Sequence, residues 1–209
     1  SEMCIRDRTV IVNTGEGDSY GEGGNHFIHN IRRNVDITHF VHDNQIYGLT
    51  KGQASPTTDI GHVTDVQPNG SNNIPMNPVA LAITLGAGFV ARAFSGDKEH
   101  LKKVMIEAIN HKGYALVDIL QPCVSFNKVN TFQWYNKRVY KLGKEYDPSN
   151  KLKAIEKSME WGDKIPLGIL YKEEKSNFHD KVSFLKNGES LVESEIKIDK
   201  IKEFMKDFI

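Results

Sequence analysis

The 209-residue chain balances 27 Lys and Arg against 27 Asp and Glu, so no net field draws it to nucleic acid or to an anionic membrane. Its apolar runs fall far short of the roughly 20 residues that span a bilayer, no signal-like apolar segment is found in it, and its two cysteines do not make a disulfide framework. The expectation is a cytoplasmic protein with one sizeable core and an extension, partnered by neither nucleic acid nor membrane.

Residues 1–8, Ser1-Glu2-Met3-Cys4-Ile5-Arg6-Asp7-Arg8, lead abruptly into an apolar run and read as a non-native leader, such as translated adaptor sequence, to be set aside in fold reasoning. Thr9-Val10-Ile11-Val12-Asn13 is expected to be a strand, ending in the Gly-rich loop Gly15-Glu16-Gly17-Asp18. Residues 25–33 carry Phe27, Ile28 and Ile31 as a helical stripe. A second strand, Ile37-Thr38-His39-Phe40-Val41-His42, runs into Asp43-Asn44-Gln45-Ile46-Tyr47-Gly48.

From 55 to 78 the chain turns to Pro, Asn, Gly, Thr and Asp, the composition of a long surface loop. Loops of that length within a compact domain are usually functional. Asn77-Pro78 starts a helix through about 87, with proline in the first turn where its missing N–H costs nothing. A strand over 88–94 follows. Asp97 then caps a helix to about 110 with Leu101, Val104, Met105 and Ala108 on one face, and 114–120 is a buried strand. This alternation implies an α/β fold with a doubly wound, mostly parallel sheet.

Further on, 129–142 reads as a helix bearing Phe132, Trp134 and Tyr135, 151–161 as a charged helix, 165–171 as a strand and 196–208 as an amphipathic helix. The division expected is a binding domain at 9–142 and a C-terminal extension at 143–209.

Two parallel strands that end in Gly-rich or amide-bearing loops set those loops at the carboxyl edge of the sheet, where open α/β folds bind ligands. The residue types suit Mg²⁺ and a diphosphate. Glycine lets backbone N–H groups approach phosphate oxygens, and the following helix N-terminus favours their charge. Mg²⁺ takes hard oxygen ligands, commonly one or two carboxylates with phosphate and water oxygens. Glu16 or Asp18 offers the carboxylate, Asn44 an amide oxygen and Ile46 a backbone carbonyl. Lys51, after Gly48-Leu49-Thr50, is a cation for the diphosphate or for a substrate carboxylate, with Thr50 and Gln53 in support, or else an ordinary exposed lysine. His26, His29, His39 and His42 suggest a histidine metal site, but no Cys or carboxylate spacing completes a zinc pattern. Cys123, taken alone, is a small buried hydrophobe.

The run from 15 to 58, GEGDSYGEGGNHFIHNIRRNVDITHFVHDNQIYGLTKGQASPTT, resembles the thiamine diphosphate signature of the β subunit of 2-oxoacid:ferredoxin oxidoreductases. The likeness continues more weakly through Asn77-Pro78, Ala91-Arg92, Phe94-Ser95-Gly96-Asp97 and Asp118-Ile119-Leu120-Gln121-Pro122-Cys123, to about residue 140. It departs where the family's GDG is GEG, which carries the carboxylate at Glu16 about 1.5 Å further from the backbone. It also lacks the upstream WCPGCG-like and HGR-like segments.

The resemblance implies cofactor contacts from Gly15, Glu16, Gly17, Asp18, Asn44, Ile46, Tyr47, Gly48, Leu49, Thr50 and Lys51. It implies Mg²⁺ on Glu16, Asn44 and the Ile46 carbonyl, with Asp18 as the alternate. Cys123 becomes the fourth thiolate of a [4Fe-4S] cluster whose other ligands lie in the upstream segment, a role Cys4 cannot fill. The activity implied is oxidative decarboxylation of a 2-oxoacid to an acyl-CoA, with electrons passed to ferredoxin. An α subunit, as the other half of a heterodimer, supplies the acid that assists the cofactor, so no catalytic residue is expected in this chain beyond substrate contact by Lys51. The alternatives are a non-redox thiamine diphosphate decarboxylase or carboligase, which needs no Cys123, and a non-catalytic subunit, for which GEG is the argument.

Overall fold

A computed structural model describes residues 8–182, 201, 205 and 206. Cys4 and most of the helix expected at 196–208 lie outside the described residues. The strands are β1 (Ile11–Gly15), β2 (Thr38–Asp43), β3 (Phe89–Phe94), β4 (Ala115–Leu120), β5 (Val139–Lys141) and β6 (Ile165–Lys172). They form a six-stranded sheet in the order β1-β2-β4-β3-β6-β5. β1, β2, β4 and β3 run parallel, β6 is antiparallel to β3, and β5 is parallel to β6. The mostly parallel α/β architecture is therefore as expected. β6 draws residues beyond 142 into the same sheet as β3.

The helices are α1 (Gly24–Arg33), α2 (Pro78–Leu85), α3 (Lys98–Ile109), α4 (Phe132–Asn136), α5 (Lys151–Ser158) and α6 (Phe178–Lys181). Side chains alternate across a strand, so Val41, Leu116, Val90 and Leu170 pack on one face with α1, α2 and α5. Phe40, Val117, Ile119, Phe89 and Ala91 pack on the other with α3. Sheet strands covered on both faces read as apolar runs, which is why β3 and β4 are buried at every position. Caps fix the helix starts. Asn77 Oδ1 accepts from Ala80 N at 3.0 Å and Asp97 Oδ1 from His100 N at 3.1 Å. Gly86 closes α2 at φ 88°, a left-handed position that glycine adopts without strain.

Two local expectations need correction. Residues 129–142 are not one helix: only Phe132–Asn136 is helical, and Val139–Lys141 is a strand. Asn127 Oδ1 accepts from both Val129 N at 3.1 Å and Asn130 N at 3.0 Å, a side-chain turn that competes with helix. Beyond α4 the free edge of β6 offers a ladder that a helix would forgo. The segment after β1 also differs from an open loop. β1 runs on to Gly15, and Gly17–Glu22 winds as a π-helical turn that leads into α1. Such turns are rare and concentrate at functional sites.

Candidate cofactor site at the carboxyl edge

Glu16 heads the π-helical turn and is 2% exposed. Burial pushes its carboxyl above the usual range, while the Ser55 hydroxyl and the amides of Glu16, Gly17 and Ile46 lie close enough to favour the charged form. Those last amides belong to both predicted half-sites, so the turn after β1 and the loop after β2 meet at this carboxylate. Its Oε1 is buried with no hydrogen-bond partner. Asp18, by contrast, is exposed and accepts from Gly15 N through Oδ2 at 3.1 Å.

The loop after β2 is held from below. Asn44 Oδ1 accepts from Ile46 N at 2.9 Å, a tight side-chain turn that sets the Ile46 peptide. Gln45, at φ 59°, donates from Nε2 to Thr57 O at 2.8 Å and accepts from Tyr135 Oη at 2.9 Å. Thr58 Oγ1 donates to Gln45 O at 2.6 Å. Tyr47 then folds back over the π turn. A Cβ on Gly17 would lie 2.2 Å from the Tyr47 ring, and one on Gly21 2.5 Å from its hydroxyl. These glycines admit the aromatic ring, a need that the sequence alone does not disclose.

Beneath these loops lies a group of charges that sequence reasoning did not assign. Asp43, Asp118 and Arg92 are 3%, 1% and 2% exposed. Asp118 Oδ2 faces Arg92 Nε at 3.4 Å, and its Oδ1 accepts from Tyr20 Oη at 3.1 Å. Asp43 Oδ1 accepts from Thr57 Oγ1 at 2.8 Å and Gln45 N at 3.1 Å. Burial pushes Asp43 well above the usual carboxylate range, and the charges of Asp118 and Glu16 push it further. A cavity of about 210 Å³ borders Asp43, Arg92, Asp118 and Trp161. The available signal was a lone Asp inside Ala-Leu-Val-Asp-Ile-Leu and a lone Arg inside Phe-Val-Ala-Arg-Ala-Phe, since charges in buried strands need partners.

The remaining predicted residues sit apart from this core. Gly48 opens a projecting tip in which Leu49 is 99% exposed and Thr50 and Lys51 are exposed. Lys51 stands at φ 74°, and Thr50 Oγ1 bonds to Gln53 Oε1. Cys123 is half-buried, with Phe126 N 3.4 Å from its Sγ. Burial raises its thiol pKa, but the amides of Phe126, Asn127 and Ser125 outweigh that and leave it lowered. The imagined histidine site is not assembled. His39 bonds Tyr114 Oη at 2.7 Å and Ser19 Oγ at 2.9 Å, and His42 bonds Gln121 and Asn13. Among the described residues no group of three or more His, Cys, Asp or Glu could hold a metal. None of the described helices is long and apolar enough to cross a membrane.

Known families match this arrangement along most of the chain. The family described as thiamine pyrophosphate enzyme, C-terminal TPP binding domain, matches residues 2–119, and the family described as the C-terminal part of the pyruvate ferredoxin oxidoreductase beta subunit matches 123–187. A Sulfolobus 2-oxoacid:ferredoxin oxidoreductase subunit beta is 50% identical over 179 residues, 80% of this chain and 59% of the relative. The Aeropyrum pernix 2-oxoacid:ferredoxin oxidoreductase 1, subunit beta, is 47% identical over 78% of this chain and 54% of its own length. The chain thus spans well under two thirds of these curated relatives. A solved 2-oxoglutarate:ferredoxin oxidoreductase from Magnetococcus marinus, with 2-oxoglutarate, coenzyme A and succinyl-CoA bound, superposes with a TM-score of 0.89 at 33% identity, over 97% of this chain and 69% of that one. A chain this similar in sequence, with the same sheet and a thiamine pyrophosphate domain over more than half its length, belongs to the β-subunit family of 2-oxoacid:ferredoxin oxidoreductases.

Proposed function

We propose that this chain acts within the β subunit of a complex that oxidatively decarboxylates a 2-oxoacid to an acyl-CoA and passes the electrons to ferredoxin, with thiamine diphosphate and Mg²⁺ held at the carboxyl edge. The observation that carries this reading is the buried Glu16 carboxylate, with Oε1 unpartnered, where the two loops meet. An unsatisfied buried carboxylate oxygen is costly. A cation there would satisfy it and relieve the mutual repulsion with Asp43.

The donor set suits magnesium: Glu16 supplies a carboxylate oxygen, Asn44 a side-chain oxygen and Ile46 its carbonyl, all hard ligands. The Gly17 amide and the turn behind it suit a diphosphate. Bound thiamine diphosphate supplies a nucleophilic carbon for the 2-oxo group and an electron sink once CO₂ leaves. The chain's own part is positioning. Glu16 and Asn44 orient the metal end, Tyr47 covers the turn, and Lys51 on the exposed tip meets the anionic group of the substrate or cofactor. The acid assisting the cofactor comes from the α subunit.

The described residues do not hold an iron–sulfur cluster by themselves, because Cys123 is one thiolate and such a centre takes four. Cys123 is proposed as a single ligand, and the amides that favour its thiolate form support that role.

The test uses the full-length β subunit assembled with its α partner. Reduction of ferredoxin should require both a 2-oxoacid and coenzyme A. Consumption of 2-oxoacid without ferredoxin reduction would assign the chain to non-redox chemistry, and absence of thiamine diphosphate binding would make it non-catalytic. Cys123→Ser in that complex should degrade the reduced-cluster signal in electron paramagnetic resonance. An unchanged spectrum returns Cys123 to a structural role.

A further inference from the structure

The π-helical turn is held on three sides, and the ties are unequal. Tyr47 lies over Gly17 and Gly21 on its outer side. Ser19 bonds His39 Nε2 at 2.9 Å and Thr14 Oγ1 at 2.5 Å, and Thr14 Oγ1 itself reaches His39 Nε2 at 3.0 Å, so Ser19 has two partners on that side. Tyr20 reaches across the sheet to Asp118 Oδ1 at 3.1 Å, joining positions 98 residues apart. Its acceptor is itself fixed by Arg92 on the neighbouring strand. Hydrogen bonds to a charged group are the stronger kind.

Glu16, at the head of this turn, and Tyr20 are four positions apart, close to one winding; both are buried, as are Gly17 and Ser19, while Asp18 and Gly21 are exposed. Side chains at that spacing share a face. The rotation that aims Tyr20 at Asp118 therefore also aims Glu16 at the loop carrying Asn44 and Ile46. The Tyr20 ring meets Phe27 edge-on at 5.3 Å, a contact that a phenylalanine would keep. The ring accounts for core packing, and the hydroxyl remains to be explained.

We infer that Tyr20 is a positioning residue, whose hydrogen bond to Asp118 sets the Glu16 carboxylate at the metal site. The inference rests on the reading of Glu16 as a magnesium ligand. Tyr20 need not touch metal, cofactor or substrate.

The experiment is a magnesium titration of thiamine diphosphate binding to the assembled complex, followed by calorimetry, for wild type, Tyr20→Phe, Glu16→Gln and the double variant. Tyr20→Phe should raise the half-saturating Mg²⁺ concentration about tenfold, the scale of one hydrogen bond to a charged group, alongside a modest fall in melting temperature. The double variant should be no worse than Glu16→Gln alone, because both act through one carboxylate. A Tyr20→Phe titration that overlays wild type while Glu16→Gln shifts overturns the inference and leaves the metal site standing. Fully additive losses likewise reduce Tyr20 to a general structural role. A silent Glu16→Gln removes the metal reading itself, and the role of Tyr20 with it.

Discussion

Glu16 and Lys51 stand in the two halves of one candidate site, yet their surroundings have little in common. Glu16 is 2% exposed, heads a turn tied to β2 and β4 through Ser19 and Tyr20, and sits near the buried carboxylates Asp43 and Asp118, of which Asp118 pairs with Arg92. Lys51 is exposed on a tip beside Leu49, which is 99% exposed, and the tip's bonds are mostly internal, such as Gly52 N to Tyr47 O at 2.9 Å. The Glu16 end is thus built into the chain's own core, whereas the tip presents its side chains to solvent. Changes near Glu16 should register in folding and in ligand affinity together. Changes at Lys51 should register in ligand affinity alone.

The largest effect that sharpens this contrast is expected at Asp118. Asp118→Asn leaves the Arg92 guanidinium buried without its carboxylate, a loss on the order of 3–5 kcal/mol for a broken buried pair. Urea unfolding of the subunit measures it. A loss below about 1 kcal/mol would mean that Asp118 and Arg92 do not act as a buried pair, and the comparison breaks on its buried side.

A somewhat smaller effect, visible only in acid, is expected from His39. Burial lowers its pKa from 6.5 to about 4. The unfolded chain therefore binds a proton that the folded one refuses between those values. The neutral ring's contribution is complete above pH 6.5 and is lost as pH falls toward 4, by about 3 kcal/mol. His39→Gln should flatten this stretch of the stability profile. An unchanged slope between pH 6.5 and 4 would show that His39 is not the group responsible.

The smallest effect on folding belongs to Lys51→Met, for which stability should stay within about 0.5 kcal/mol of wild type, as for most surface changes. In the assembled complex the same substitution should raise KM for the 2-oxoacid if Lys51 meets the substrate carboxylate, or weaken thiamine diphosphate binding if it meets the diphosphate. No change in either would leave Lys51 an ordinary surface residue and remove the tip from the site.

Much of the sheet was legible because its signals are local. Asn77 and Asp97 cap their helices through their own side chains, and the runs at 89–94 and 115–120, apolar but for one charge each, read as strands covered on both faces. The pairing of half-sites could be read from two strand ends. What could not be read depends on distant partners. The π winding of Gly17–Glu22 accompanies the reach of Tyr20 to Asp118, and the use of Gly17 and Gly21 depends on Tyr47 lying across them. The aromatic spacing at 132–135 does suit a helix, but the Asn127 turn before it and the β6 edge after it cut that helix short. Arg92 and Asp118 were visible as lone charges in apolar strands, though nothing in the sequence said that they face each other.

The most direct test of the account is where a metal binds. Crystals of the assembled complex with thiamine diphosphate and Mn²⁺ in place of Mg²⁺ would give an anomalous peak locating the ion. The account places that peak about 2.0–2.3 Å from a Glu16 carboxylate oxygen, the Asn44 side-chain oxygen and the Ile46 carbonyl. A peak held by Asp18 with Glu16 turned away, or one far from both loops, would contradict it.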